Sequence, residues 1–438
     1  MNGSELPNPS FYVLTIPRPE DVEAADAAIG AQLQEEDGHV LAPLGGDRYV
    51  VARAPGKQLL LSHPPERIQA FLQGLPGVAA AEPAKADEIA AAFLERAPTA
   101  DFGEPPAATA RQWNLERVRA PQAWRMFPGG LRSRPWREVR IGHIDTGYTR
   151  HDVFGPWDGH RSPSLRPHLG INFREGGLPE DPGNYKGFPG HGTRTASVLT
   201  GYLPGTFFGV APQVQVVPYR ITNSVIIDAF DNPVELGPAI DHAVNEAGCQ
   251  VISVSLGNPC LPRRAVTRAI NRAYDLGVII VAAAGNVTSE ITYPARYTRT
   301  LAIAGSTPRD RPWTGSARGR LIDLAAPADD IMRAETRTGQ TDRFKGKGDG
   351  TSYATVHVAG AAALWIAFHG NELERFRQGW QRIEAFRLTA TRTARRPRSW
   401  DQALWGAGIL DIAALLEAPL PDPADLTPRT MTAAAEVD

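Results

Sequence analysis

Four residues of this 438-residue chain pair reactive chemistry with unusual surroundings: Asp145, His191, Asn286 and Ser352. Asp145 ends the run Val139-Arg-Ile-Gly-His-Ile-Asp145 and is followed by Thr146-Gly147. A carboxylate at the C-terminal edge of a parallel strand stands where α/β folds place their ligands, although an Asx-turn would use the same residue. His191 lies in Gly190-His-Gly-Thr193 and opens a helical stretch; its flanking glycines leave room for a substrate backbone, and a structural histidine is the plainer alternative. Ser352 lies in Gly350-Thr-Ser-Tyr-Ala-Thr-Val-His-Val-Ala-Gly-Ala-Ala-Ala-Leu364. A helix of small residues starting after Gly350 offers that serine unpaired N–H groups and the positive end of a helix dipole. An ordinary N-cap would also place a serine there. Asn286 closes Val281-Ala-Ala-Ala-Gly-Asn286, and its amide can serve either a turn or a developing oxyanion. As a set, carboxylate, imidazole, hydroxyl and amide donor are what nucleophilic acyl transfer requires.

Other assignments of the same chemistry fail on physical grounds. His357 follows Ser352 by five residues on one helix, which turns it about 140° away. No Gly-x-Ser-x-Gly elbow surrounds Ser352, because Ala354 takes the last glycine position. His143 shares a strand face with Asp145, as a core histidine or a group standing behind the carboxylate. There is neither a two-His-Glu metal signature nor a cysteine-based zinc pattern.

The elements that must position these residues are continuous apolar runs alternating with helical patterns. The runs Val139–Ile144, Val214–Arg220, Val251–Leu256, Val278–Ala283 and Leu301–Gly305 read as strands buried on both faces. They predict a three-layer α/β sandwich around a mostly parallel sheet. Upstream, the order strand (Phe11–Ile16), helix (Glu20–Gln34), strands (Tyr49–Ala54 and Gln58–Ser62), helix (Pro65–Leu75), strand (Val78–Glu82) predicts a small ferredoxin-like α+β sandwich. A helical piece over Ala86–Arg96 leads into a Pro/Ala-rich segment. The expected units are residues 1–96, a linker at 97–111, a large domain at 112–418 and a disordered tail at 419–438.

Composition excludes several function classes. The 46 Lys+Arg and 48 Asp+Glu leave a net charge of −2, so no general field draws nucleic acid or an anionic membrane. The longest apolar stretches fall short of the roughly 20 residues that span a bilayer. The N-terminal segment lacks a basic region followed by a long apolar one, which predicts a cytoplasmic protein. Cys249 and Cys260 flank a strand that would hold them too far apart to bridge, so both are expected as free thiols.

The chain order Asp, His, Asn, Ser is that of the subtilisin-type triad, and over roughly residues 112–418 the sequence resembles the subtilisin-like serine proteases (subtilases). Ile144-Asp-Thr-Gly147, Gly190-His-Gly-Thr193 and Gly350–Gly360 match the family's aspartate, histidine and serine motifs. Ala283-Ala-Gly-Asn286 matches its oxyanion segment, Val254-Ser-Leu-Gly257 the strand that pairs with substrate, and Gln112–Trp124 the start of the mature enzyme. The resemblance implies an endopeptidase with Asp145, His191 and Ser352 as triad and Asn286 in the oxyanion hole. It further implies a protein or peptide substrate paired along Ser255, Leu256 and Gly257. The side chain before the cut would be lined by Ala283, Ala284, Gly285 and Thr292, with Thr292 narrowing the pocket. Residues 11–82 resemble the inhibitor-like propeptide of subtilases, which implies an autoprocessed zymogen cut near Ala97–Gln112. No cofactor is implied for catalysis, and Leu203-Pro-Gly-Thr-Phe-Phe208 lacks the asparagine-rich character of the family's strong calcium site. The chain departs from the motifs at Tyr353, Val356 and Arg194. A gap of 46 positions between Asp145 and His191 implies an insertion (Gly155–Pro189) forming loops beside the cleft.

Overall fold

The computed structural model describes residues 11–18, 20–32, 39–45, 47–53, 65–83, 112–185, 187–225, 235–257, 263–286, 290–336 and 344–431. Near the N-terminus, β1 (Phe11–Thr15), β2 (His39–Gly45), β3 (Arg48–Arg53) and β4 (Ala80–Pro83) form an antiparallel sheet in the order β2-β3-β1-β4. The helices Glu20–Gln32 and Pro65–Gln73 complete the ferredoxin-like sandwich. The apolar β1 takes a central place, where Tyr12 and Leu14 pack in one core with Ile29, Ile68 and Leu72. One strand was not expected: His39–Gly45 pairs with β3, with Val40 opposite Ala52. Pro43 and a register shift near Gly45 break the alternation that would have marked β2. The strand expected at 58–62, the helical piece at 86–96 and the linker at 97–111 lie outside the described residues.

The larger sheet holds six strands: β5 (Arg140–Asp145), β8 (Gln215–Arg220), β9 (Val251–Val254), β10 (Ile279–Ala283), β11 (Leu301–Ser306) and β12 (Leu324–Pro327). The short pair β6 (Tyr202–Leu203) and β7 (Phe207–Phe208) and the hairpin β13 (Ile331–Ala334) with β14 (Phe344–Gly348) lie outside it. The order is β12-β11-β10-β9-β5-β8, with every pairing parallel. Alternate residues of one strand enter opposite cores. Ile279 and Val281 join the core containing the helices His191–Thr200 and Thr351–His369. Ile280 and Ala282 join the core under Leu236–Asn245 and Arg264–Asp275. Burial on both faces is why these strands read as unbroken apolar runs.

Chain direction across this sheet locates the site. After β5 the chain adds β8 on one flank, then crosses to add β9, β10, β11 and β12 on the other. The loops leaving β5 and β9 therefore diverge at adjacent strand ends, which opens the crevice where doubly wound sheets bind ligands. Register sets Ile144 beside Val254 and Val254 beside Ala282, so Asp145, Ser255 and Ala283 are the next residues at one edge.

The expected disordered tail from residue 419 is corrected as far as 431. Leu426 is buried in the main core, Arg429 N–H donates to Tyr274 Oη at 2.8 Å, and Arg299 Nε donates to the Arg429 carbonyl at 2.9 Å. Backbone groups of the segment are captured by side chains of the folded domain, which composition alone does not reveal. Residues 432–438 lie outside the described ones. Cys249 is a buried free thiol that burial pushes up to about 12, and Cys260 is outside the described residues.

Candidate active site

Asp145 ends β5 with its carboxylate fully buried. Its Oδ1 accepts from Thr146 N–H at 2.7 Å and from His191 Nδ1–H at 2.7 Å. Burial alone would raise this carboxyl. The His191 ring and its hydrogen bond, with the His143 ring and the Thr146 N–H, outweigh that and hold it below the usual carboxylate range. His191 is the first residue of its helix, so Nδ1 spent on Asp145 leaves Nε2 for proton transfer.

The flanking glycines serve protein packing as well. A Cβ on Gly192 would stand 2.2 Å from the Gly147 carbonyl oxygen, and one on Gly190 would stand 1.7 Å from Thr336 Oγ1. Only glycine lets the aspartate loop and the histidine helix approach this closely.

Ser352 is the second residue of Thr351–His369, whose N-cap is Gly350 at φ 148°, so the N-cap reading of this serine does not hold. Ser352 Oγ donates to the Ser255 carbonyl at 3.2 Å, and Ser255 Oγ donates to the Ser352 carbonyl at 3.1 Å. The nucleophile candidate is thus pinned to the residue after β9. Asn286 Oδ1 accepts from both Thr351 N–H (2.9 Å) and Thr351 Oγ1 (2.8 Å). With its oxygen occupied, Asn286 presents Nδ2 as a donor one residue from Ser352.

The remaining expected residues meet beside this group. Thr292 N–H and Oγ1 both donate to the Ala284 carbonyl, at 2.8 and 3.2 Å, and Gly285 N–H donates to Thr351 Oγ1 at 3.3 Å. A Cβ on Gly257 would lie 2.5 Å from Thr292 Oγ1, and one on Gly285 would lie 2.9 Å from Thr292 Cγ2. The Thr292 side chain therefore fills the space between the β9 and β10 ends. Leu256 is buried behind them. His357 points away, as its helical offset requires: Asn114 Nδ2 lies 2.9 Å from Nε2 and the Tyr353 carbonyl 2.7 Å from Nδ1.

Sequence reasoning missed Asp181. This buried residue of the insertion accepts from Thr146 Oγ1 (2.8 Å), Gly183 N–H (2.9 Å), Tyr185 Oη (3.0 Å) and Gly190 N–H (2.7 Å). It ties the aspartate loop to the histidine segment. Arg220, fully buried at the end of β8, donates to Thr146 O at 2.9 Å and clamps Glu175 with 2.8 and 2.9 Å bonds. The insertion is thereby built into the site. The sole sequence signal is an aspartate before Pro182-Gly183, which reads as a turn.

A family model described as "Subtilase family" matches residues 137–407. The chain belongs to the subtilase family. Subtilisin BL of Lederbergia lenta is 30% identical over 254 residues, covering 58% of this chain and 82% of the relative. Thermitase of Thermoactinomyces vulgaris is 28% identical over 281 residues, or 62% and 88% of the two chains. A solved protease structure from Pseudoalteromonas arctica aligns with a TM-score of 0.56 at 21% identity, over 70% of this chain and 96% of that one, a likeness of fold. This subtilase is a subtilisin-like serine endopeptidase, a hydrolase of peptide bonds. Subtilases need no cofactor for catalysis. Among the described residues, no group of three His, Cys, Asp or Glu is arranged to hold a metal ion.

Proposed function

We propose that Asp145, His191 and Ser352 are the triad of this endopeptidase, with the Asn286 amide and the Ser352 N–H as its oxyanion hole. The observation that carries the reading is the buried 2.7 Å bond from His191 Nδ1 to Asp145, at the sheet edge that also holds Ser352. Asp145 fixes the imidazole tautomer and stabilises the imidazolium. His191 takes the Ser352 proton as Oγ attacks the carbonyl carbon, then delivers it to the leaving amine. Water hydrolyses the resulting acyl-enzyme.

Substrate adds as an extended strand along Ser255, Leu256 and Gly257. The Ser255 carbonyl that holds Ser352 Oγ is a natural acceptor for a substrate N–H. Pairing there would release the hydroxyl toward His191. Ala283, Ala284, Gly285 and Thr292 line the pocket for the side chain before the cut, which Thr292 restricts to small residues. Residues 1–96 act as an intramolecular inhibitor until the linker at 97–111 is cut by the enzyme itself.

The triad is tested with a fluorophosphonate probe and a peptide substrate, using wild type and Ser352→Ala of matched circular dichroism. Labelling and hydrolysis are expected from wild type alone. An alanine variant that still cleaves and is labelled on another serine overturns the assignment.

A further inference from the structure

One of the buried imidazoles that the mechanism does not use stands beside Asp145. His143, two residues before Asp145 on β5, is 1% exposed, and its Nε2 lies 2.9 Å from Thr195 Oγ1 and 3.7 Å from Asp145 Oδ2. Thr195 stands one turn beyond His191 on the histidine helix and is fully buried. Its hydroxyl reaches three acceptors: the His191 carbonyl (3.0 Å), the Gly192 carbonyl (3.2 Å) and Asp145 Oδ2 (3.4 Å). A hydroxyl facing only acceptors on that side gives away its proton, so toward His143 it accepts. His143 is then the Nε2–H tautomer, and its Nδ1 has no partner among the described residues.

We propose that His143 and Thr195 form a positioning pair for the peptidase, a donor relay onto Asp145 Oδ2, the oxygen that His191 leaves free. The inference rests on the triad reading above. It differs from it in assigning work to two residues that never meet substrate.

Core filling does not explain the pair. A strand residue buried on this face needs no nitrogen, and burying one without a partner on its second side is costly. The ionisable groups facing His143 are Asp145 on its own strand and His191 on the helix above. Its ladder neighbours, Ser253 on β9 and Pro218 on β8, carry no charge. The ionisable side chains near the start of the serine helix bond elsewhere, Tyr353 to Arg333 and His357 to Asn114. Burial lowers the His143 pKa, so the ring stays neutral where an ordinary histidine titrates.

The Thr195 hydroxyl on Oδ2, polarised by His143, withdraws charge from the carboxylate that holds the His191 proton. Removing that donor strengthens the pull of Asp145 on an imidazolium. The acid limb of kcat/KM against pH should therefore move up by about 0.5–1 unit in Thr195→Val and in His143→Val, with KM unchanged. The double variant should shift no further than either single one, because the residues act in series. His143→Gln, which keeps a donor near the Nε2 position, should restore the wild-type limb.

The experiment is a pH–rate profile of the full chain on one peptide substrate, with melting temperature measured alongside. Variants that fold and lose stability with an unmoved acid limb overturn the proposal. If His143→Val does not fold, the isosteric Thr195→Val must still show the shift. A wild type that fails to cleave, or is not labelled at Ser352, refutes the triad reading and not the relay alone.

Discussion

On the proposed reading, one side chain, Thr292, sets what the cleft accepts. Its methyl and hydroxyl occupy the space beside Gly257 and Gly285, and its backbone and hydroxyl bonds to Ala284 leave it no easy alternative position. Replacing it with glycine removes the obstruction without touching Asp145, His191 or Ser352. Thr292→Gly should raise kcat/KM for substrates with Phe or Leu before the cut relative to Ala by about 10–200-fold, the span that one methylene commands in a pocket. Matched peptide anilides read this directly, and an unchanged ratio would mean that Thr292 does not line the pocket. At this scale the site was largely legible in the sequence. Asp145, His191, Asn286 and Ser352 each stand at the end of an apolar run or the start of a helix, where composition changes abruptly. Asp181 and Thr195 were not legible. One sits in a Pro/Gly-rich loop that reads as a turn, and the other reads as an ordinary helical threonine.

At the scale of elements, the serine helix is the hub. It packs beneath β9, β10, β11 and β12 and against the histidine helix, and its run of small residues permits that closeness. Gly360 faces Val210 and Leu199 with no room for a side chain. Within it His357 is fully buried, and burial drives its pKa down to about 4 even though the Tyr353 carbonyl pulls the other way. An unfolded histidine takes up a proton below about 6.5. The folded one resists until about 4, so its contribution to stability is complete above 6.5 and is lost as pH falls between the two values. The loss is on the order of 3 kcal/mol. Denaturant titrations of Ser352→Ala at pH 7, 5.5 and 4.5 should show this decline, and adding His357→Gln should flatten it. Equal slopes with and without the histidine would show that other groups carry the acid sensitivity. Five of the six strands of the large sheet announced themselves because two-sided burial makes apolar runs, whereas the short β12 did not. The weakly patterned β2, interrupted by Pro43, did not either.

For the whole molecule, the two folded regions and the segment between them suggest a sequence of events. The ferredoxin-like sandwich precedes a Pro/Ala-rich stretch, and the peptidase fold is described from Gln112 onward. If the enzyme cuts that stretch, purified wild type should lose an N-terminal fragment ending between Ala97 and Gln112, while Ser352→Ala stays intact. Intact-mass spectrometry over time distinguishes the two. Wild type that remains whole and fully active would make the small domain a recruiting module rather than an inhibitor. The last described residues were misjudged at this scale for a related reason. A segment rich in Pro and Ala can still be ordered when a folded surface binds its backbone, as Arg299 and Thr298 do for residues 429 and 430.

The reversal of chain direction at β5 also governs when the protein becomes dangerous during its own synthesis. Asp145 and His191 emerge early, but Ser255 and Ser352, which hold each other, are 97 positions apart, and the helix bearing Ser352 is also what closes one face of the sheet. Until that helix leaves the ribosome, the earlier strands have neither the proposed nucleophile nor a finished core. Ordering such distant segments is costly before their contacts form. On the proposed triad, a growing chain cannot cut for most of its translation, and the nucleophile arrives together with the helix that completes the core.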